Sequence, residues 1–236
     1  MHAVGIVAAA GSGLRLGAEL PKALVPLDGR PLVCWAVDTL RAGGVAEVVV
    51  AVPAPQRAAF TAVLPGDVHV VVGGDTRTAS VRAALAAARE HASDQERTAV
   101  LVHDAARPLT PPAVVARVLA ALAAGARAVV PVLPVVDTTV VVDTDGVVDA
   151  DVPRASLRRV QTPQGFDRAT LVEAYARSHG TATEFTDDAS VVRAVGIPVH
   201  TVPGDERAGK ITVAHDLTLA ELQVRAGRGS SWRHSS

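Results

Sequence analysis

In a chain that takes its positive charge almost entirely from arginine, two lysines are exceptions. Of 23 basic residues, only Lys22 and Lys210 are lysine. A compact ammonium and a planar guanidinium do different work, so these two mark places where a fork does not fit. Lys22 closes the segment AAAGSGLRLGAELPK, residues 8–22. Ala8, Ala9 and Ala10 add no bulk, and Gly11 and Gly13 let the backbone turn and approach a ligand closely. Exposed backbone N–H groups at such a turn form an anion-binding concavity. Arg15 and Lys22 add charge, and Pro21 restricts the backbone that aims Lys22. The chemistry implied is the holding of a small ligand with several phosphates.

Two familiar phosphate motifs fail on spacing. Gly11, Gly13 and Gly17 give G-x-G-x-x-x-G where the dinucleotide fingerprint has G-x-G-x-x-G, and Lys22 stands outside any G-x-x-x-x-G-K-[ST] pattern. Other segments converge on the same kind of site. VVVGGDTRTAS (70–80) ends an apolar run in Gly73, Gly74 and Asp75 and then opens a helix near Ser80. LVHDAARP (101–108) ends another in Asp104, followed by Arg107. In open α/β sheets ligands bind outside the carboxyl ends of the strands. Asp104 is the candidate to bind a hydroxyl or a Mg²⁺-phosphate complex.

The elements that must position these groups follow from the apolar pattern. Strands are expected over 3–9, 46–52, 68–72, 98–103, 127–133 and 198–203. Helices are expected over about 31–42, 55–64, 78–91, 112–124, 167–178, 187–195 and 215–226. Near-continuous apolar strands alternating with helices imply an α/β fold, a mostly parallel sheet with helices on both faces. Residues 134–163 break the rhythm: TTVVVD and GVVDAD flank Asp145-Gly146, a hairpin signal. Such a β-arm projects, and its valines (Val140, Val141, Val142, Val147, Val148) need cover. A second copy of the chain is the economical cover, and packing on the arm's own domain is the other.

The chain of 236 residues, 49% hydrophobic, suits one domain over 1–226 and a disordered tail over 227–236. A net charge of −1 argues against a broad nucleic-acid surface. No apolar run reaches the ~20 residues of a membrane span. The N-terminus lacks the basic start of a signal peptide, so a cytoplasmic protein is expected. One cysteine, Cys34, excludes an intramolecular disulfide framework and a Cys-rich zinc site.

Taken in order, AAAGSGLRLG…PKALVPLDGRPL, GGDTRTASV, VHDAARP, DTT, R-x-x-L-x-x-x-QTPQGF (Arg154 to Phe166), TDDAS (186–190) and GDERAGKIT (204–212) resemble the 2-C-methyl-D-erythritol 4-phosphate cytidylyltransferases. The resemblance implies transfer of a cytidylyl group from CTP to methylerythritol phosphate with Mg²⁺. It also implies a Rossmann-like domain and a homodimer interlocked by the arm. Carried over by position, it makes Arg15 and Lys22 hold the triphosphate and stabilise the charge on phosphorus. Ala9, Ala10, Gly11, Gly13, Gly74, Asp75 and Ser80 would hold CTP, with Asp104 and Arg107 beside its sugar, metal and phosphates. Thr138, Arg154, Thr186 and Lys210 would position the second substrate, and Arg154 and Lys210 join the catalytic set. Thr162 and Gln164 would shape the pocket wall. Ala23, Arg207 and Gly209 depart from residues frequent in that family. The alternative is a cytidylyltransferase acting on ribitol 5-phosphate or a related polyol phosphate.

Overall fold

The first apolar run becomes the middle of the sheet. In the computed structural model, which describes residues 1–10, 20–88, 98–178 and 185–230, strand β1 (His2–Ala8) pairs in parallel with β4 (Glu47–Val52) on one side and with β6 (Thr98–Asp104) on the other. Strand β5 (His69–Val72) extends the β4 side, also in parallel. The chain therefore winds outward from β1 to β5 and then returns to the other flank of β1. That reversal between β1 and β6 is a topological switch point, where the crossovers leave a crevice at the carboxyl edge. The register sets Ala8 opposite Asp104 and, on the other side, opposite Ala51.

Both faces of this sheet are covered because its strands are apolar on both sides. Alternation along β1 sends Ala3 and Val7 to one core and Val4 and Ile6 to the other. The first core is closed by α1 (Leu32–Ala42), α2 (Arg57–Val63) and α4 (Pro112–Ala123), through Val37, Leu40, Phe60, Val115 and Val118. The second is closed by α3 (Arg77–Ala87), α5 (Arg168–Arg177) and α6 (Asp188–Ala194), through Val81, Leu85, Leu171, Tyr175 and Val192. A smaller cluster packs Val25, Leu27 and Leu32 against Ile211 and Ala220 of α7 (Ala214–Ser230).

The predicted strands and helices are present with ends shifted by a few residues, residues 89–91 of the helix expected over 78–91 lying outside the described ones, and two further features go beyond that expectation. The short β2 (Pro26–Leu27) and β3 (Arg30–Pro31) form a tight turn around Asp28 and Gly29, both at positive φ. The segment RRVQTPQGFD (158–167) supplies two strands, β10 (Arg158–Val160) and β11 (Gln164–Asp167). Strand β11 lies between β6 and β7 (Ala128–Pro134), antiparallel to both, so the sheet is mixed at this flank. A short run with glutamine and glycine at its start does not read as a strand. Gly165 is needed because a Cβ there would lie 2.3 Å from a Val118 methyl carbon of α4. Strand β12 (His200–Pro203) pairs in parallel with β7, and β10 pairs with β7 antiparallel.

The expected arm is a separate two-stranded sheet, β8 (Thr139–Val142) with β9 (Val148–Val152). Its turn is tied by the Asp143 carboxylate, which accepts from the N–H groups of Asp145 and Val147, while Gly146 takes φ +83°. The five valines named above are all exposed in the single chain, Val147 to 61%. At the other end, α7 continues through Ser230, into the segment expected as a tail, of which 231–236 lies outside the described residues. The helix has no breaker at Ala226, and glycine alone costs only about 1 kcal/mol there.

Candidate active site

The carboxyl edge at the switch point gathers the small residues first. After β1, Ala9 donates its N–H to the Ala51 carbonyl, and after β5 Gly73 donates to the Val52 carbonyl. These bonds hold the two loops side by side: a Cβ on Gly73 would lie 3.1 Å from that of Ala10 and 2.6 Å from Ser80 Oγ. Thr76 caps α3 by accepting from the Ala79 N–H. Buried Ser80 donates to the Thr76 or Gly74 carbonyl, at 2.9 and 3.1 Å. Ala9, Ala10, Gly74 and Ser80 thus come together as expected, with Asp75 exposed beside them. Gly11, Gly13 and Arg15 lie outside the described residues.

Asp104, the last residue of β6, is the electrostatic centre. Its Oδ1 accepts from Arg77 Nε at 3.3 Å, and its Oδ2 lies 2.9 Å from Lys210 Nζ and 3.9 Å from Arg107 Nε. Burial works to raise its pKa, but Arg77 and Lys210 outweigh it and hold the carboxyl well below the usual range. Its backbone N–H donates to the Thr162 hydroxyl at 3.0 Å, which ties β6 to the turn before β11.

Arg77, quoted above only as part of a motif, is a site residue that sequence reasoning missed. Its other end pairs with Asp188 Oδ2 at 2.6 Å, and Asp188 Oδ1 accepts from the Tyr175 hydroxyl. One Asp188 oxygen thus faces a cation and the other takes a donor, while burial pushes its pKa up. Burial works to lower the Arg77 pKa, but Asp188 and Asp104 win and raise it. In TDDAS the resemblance pointed to Thr186. The structure leaves Thr186 exposed and instead buries Asp188, with Asp187 capping α6. A charged residue in the first turn of a short helix gives no outward sign of being buried.

Lys210 reaches Asp104 from a strap, residues 204–211, that is pinned along its length. The buried Gln161 side chain accepts from the Asp205 N–H and donates to the Asp205 carbonyl. Arg107, expected beside the nucleotide, gives its guanidinium to the carbonyls of Ala208 (2.7 Å) and Val160 (3.4 Å). Ile211 N–H bonds to the Ala106 carbonyl. Lys22 starts a 3₁₀ turn after Pro21 and is half-buried. Asp216, held ionised mainly by the N–H groups of Val213 and Thr212, also feels the Lys22 charge, which places Lys22 toward the start of α7. Gln164 ties α6 to the sheet, accepting from Ala189 N–H and donating to Asp187.

Of the group expected around the other substrate, Lys210 stands at Asp104, while two members lie at the base of the arm. Thr138 and Arg154 are exposed, and Arg154 donates to the Val136 carbonyl at the base of the arm. Among the described residues, no group of three or more His, Cys, Asp or Glu is placed to hold a metal ion. No helix among them is long and apolar enough to cross a membrane.

This edge offers small-residue loops, one fixed carboxylate and a set of cations, which suits charge stabilisation on a polyphosphate. The model of the 2-C-methyl-D-erythritol 4-phosphate cytidylyltransferase family matches residues 3–226. The chain belongs to this family. It is accordingly a nucleotidyltransferase. It is 52% identical over 221 residues to the cytidylyltransferase of Nocardia farcinica, covering 92% of each chain. It is also 52% identical to that of Saccharopolyspora erythraea, covering 94% of this chain and 98% of the relative. The crystal structure of the Thermus thermophilus enzyme matches at a TM-score of 0.78 and 40% identity, over 95% of this chain and all of that one. A structure from Anaerococcus prevotii, at 24% identity and a TM-score of 0.81, supports the fold.

His103 beside the site gives a pH test. It is fully buried and shares a 2.9 Å hydrogen bond through Nδ1 with the Thr162 hydroxyl, and its Nε2 has no partner among the described residues. Burial lowers its pKa from the ordinary 6.5 to about 4. The unfolded chain therefore takes up a proton at a pH where the folded chain does not. The stability tied to neutral His103 is full above pH 6.5 and is lost as the pH falls toward 4, by roughly 3 kcal/mol. Denaturation curves collected from pH 7 to 4 are expected to fall more steeply for the parent than for His103→Gln. Parallel curves would show that His103 is not held neutral.

Proposed function

We propose that this enzyme transfers the cytidylyl group of CTP to the phosphate of 2-C-methyl-D-erythritol 4-phosphate, forming 4-diphosphocytidyl-2-C-methyl-D-erythritol and pyrophosphate. The observation that carries the reading is the span of the family match: residues 3–226 contain both lysines and every segment of the carboxyl edge. The named relatives support methylerythritol phosphate over the ribitol 5-phosphate alternative.

In this reaction a phosphate oxygen of the second substrate attacks the α-phosphorus of CTP. A new P–O bond forms as the bond to the β-phosphate breaks in line with it, and pyrophosphate leaves. The nucleophile is already anionic, so no protein base has to remove a proton. What the chain must supply is alignment and positive charge at the transition state. Lys22 and Arg15 stabilise the charge on phosphorus. The loops of Ala9, Ala10, Gly11, Gly13 and Gly74, with Asp75 and Ser80, hold the cytidine and triphosphate. Lys210 and Thr186 meet the second substrate's phosphate side.

Mg²⁺ fits the donor set. It is bound through one or two carboxylates plus substrate phosphates rather than by an all-protein cage, and Asp104 is one fixed carboxylate at this edge. When bound, the ion neutralises charge on the departing pyrophosphate. The exposed valines of the arm support a homodimer through it, in which Thr138 and Arg154 of one copy complete the site of the other. The enzyme would work in the cytoplasm, where its nucleotide is available.

With Mg²⁺ and methylerythritol phosphate, pyrophosphate release is expected with CTP and not with ATP, GTP or UTP. Release with another nucleotide, or none with CTP, would overturn the reading. Lys22→Ala is expected to lower kcat by roughly 10²–10³-fold, the scale of one lost transition-state donor. Lys22→Arg should recover little of it, because a fork cannot stand in for a point charge in a tight turn; near-parental turnover would refute that role. Sedimentation should give a dimer, and paired charge substitutions at Val141 and Val148 should yield a monomer that turns over poorly. An active monomer would remove the arm from the site.

A further inference from the structure

The four groups around Asp104 are not equivalent. Lys210 sits on a surface strap and is 45% exposed, so its contact with Oδ2 can be exchanged. Arg107 is committed to two carbonyls and stands 3.9 Å from Oδ2. Thr162 holds the Asp104 backbone and leaves the carboxylate to others. Of these four, Arg77 is the one that reaches Oδ1, and behind it stands a chain of buried partners: Asp188, whose side chain is 1% exposed, and the Tyr175 hydroxyl.

That chain draws on four elements. Asp104 ends β6, Arg77 opens α3, Asp188 opens α6 and Tyr175 lies on α5. Asp188 is itself fixed: Asp187 and Ser190 form a capping box around it, and Gln164 of β11 grips Asp187 and the Ala189 N–H. A guanidinium with two ends can bridge two carboxylates in one plane, which an ammonium cannot do. Removing Asp188 would leave the half-buried Arg77 with one carboxylate and free to turn.

We propose that Arg77, held from behind by Asp188 and Tyr175, is a positioning residue of the active site. It fixes Oδ1 of Asp104 so that Oδ2 is the oxygen presented to the incoming nucleotide. Lys210 occupies Oδ2 in the free enzyme and yields it when the nucleotide binds. The inference rests on the cytidylyl-transfer reading for its ligand, and it assigns no contact between Arg77 and substrate.

The test uses the full chain and three variants, Asp188→Asn, Arg77→Lys and Tyr175→Phe, each checked for folding by its melting curve. The readouts are kcat, the two KM values and the affinity for CTP with Mg²⁺ by calorimetry without the second substrate. Partners that orient a ligating side chain are worth about 10–100-fold. Asp188→Asn is expected at the lower end of that range in both kcat and CTP affinity, with KM for methylerythritol phosphate within about twofold of the parent. Arg77→Lys should fall with it, since it keeps the charge but loses the bridge. If Asp188→Asn does not fold, Tyr175→Phe, which removes one hydroxyl, should shift kcat and CTP affinity the same way by a smaller factor. CTP affinity within twofold of the parent in a folded Asp188→Asn overturns the proposal. So does parental activity in Arg77→Lys, or an unchanged Tyr175→Phe where that variant decides. Loss spread equally over both substrates, matching the loss of folded protein, would reduce the chain to a structural one and also overturn it. A parent silent with CTP fails the cytidylyl-transfer reading instead; the calorimetric ratio, taken with Mg²⁺ and the nucleoside triphosphate the parent binds, still reads the relay.

Discussion

The site depends on keeping one carboxylate charged in a place that disfavours charge. The Asp104 side chain is 11% exposed, and an unpaired carboxylate so deep in the protein costs several kcal/mol. Cations from α3, from the turn after β6 and from the strap before α7 offset that cost. The arrangement couples three distant stretches of sequence to one atom pair. It follows that these stretches cannot drift independently: whatever moves Asp104 moves the groups that neutralise it.

The fold makes this possible through two ordinary constraints. The switch point between β1 and β6 opens the carboxyl edge at the one place where Ala8 and Asp104 stand in register. The antiparallel β11, wedged between β6 and β7, then brings Gln161, Thr162 and Gln164 to the same edge. Gln161 faces the strap that carries Lys210, Thr162 faces Asp104, and Gln164 faces α6. Three polar side chains close together in sequence serve three different elements, each through backbone or carboxylate hydrogen bonds that burial makes costly to lose.

The legible part of this was the part written in local pattern. Apolar strands, the hairpin at Asp145-Gly146, the glycine loops and Asp104 at a strand end are visible because each depends on its immediate neighbours. The two lysines are visible because composition makes them rare. Arg77, Asp188 and Tyr175 were not, because their meaning lies in a contact between residues 77, 104, 175 and 188, and nothing in any one segment points to the others. Strand β11 was missed for a related reason. Its glycine answers to Val118 on a helix far earlier in the chain, and its glutamine to a helix well after it. TDDAS drew attention for Thr186, and its Asp188 has a further, buried role that the motif does not show.

The unequal use of lysine and arginine gains a physical sense from these contacts. Three arginines satisfy two partners at once: Arg77 between two carboxylates, Arg107 on the carbonyls of residues 208 and 160, Arg117 on those of 203 and 204. Each uses the fork's several donors in a fixed geometry that a point charge cannot reproduce. Lys210 meets a single carboxylate oxygen from a half-exposed position, the geometry of a charge that can be handed over. A guanidinium there, with further donors to engage other partners, would hold Oδ2 more firmly than an ammonium does.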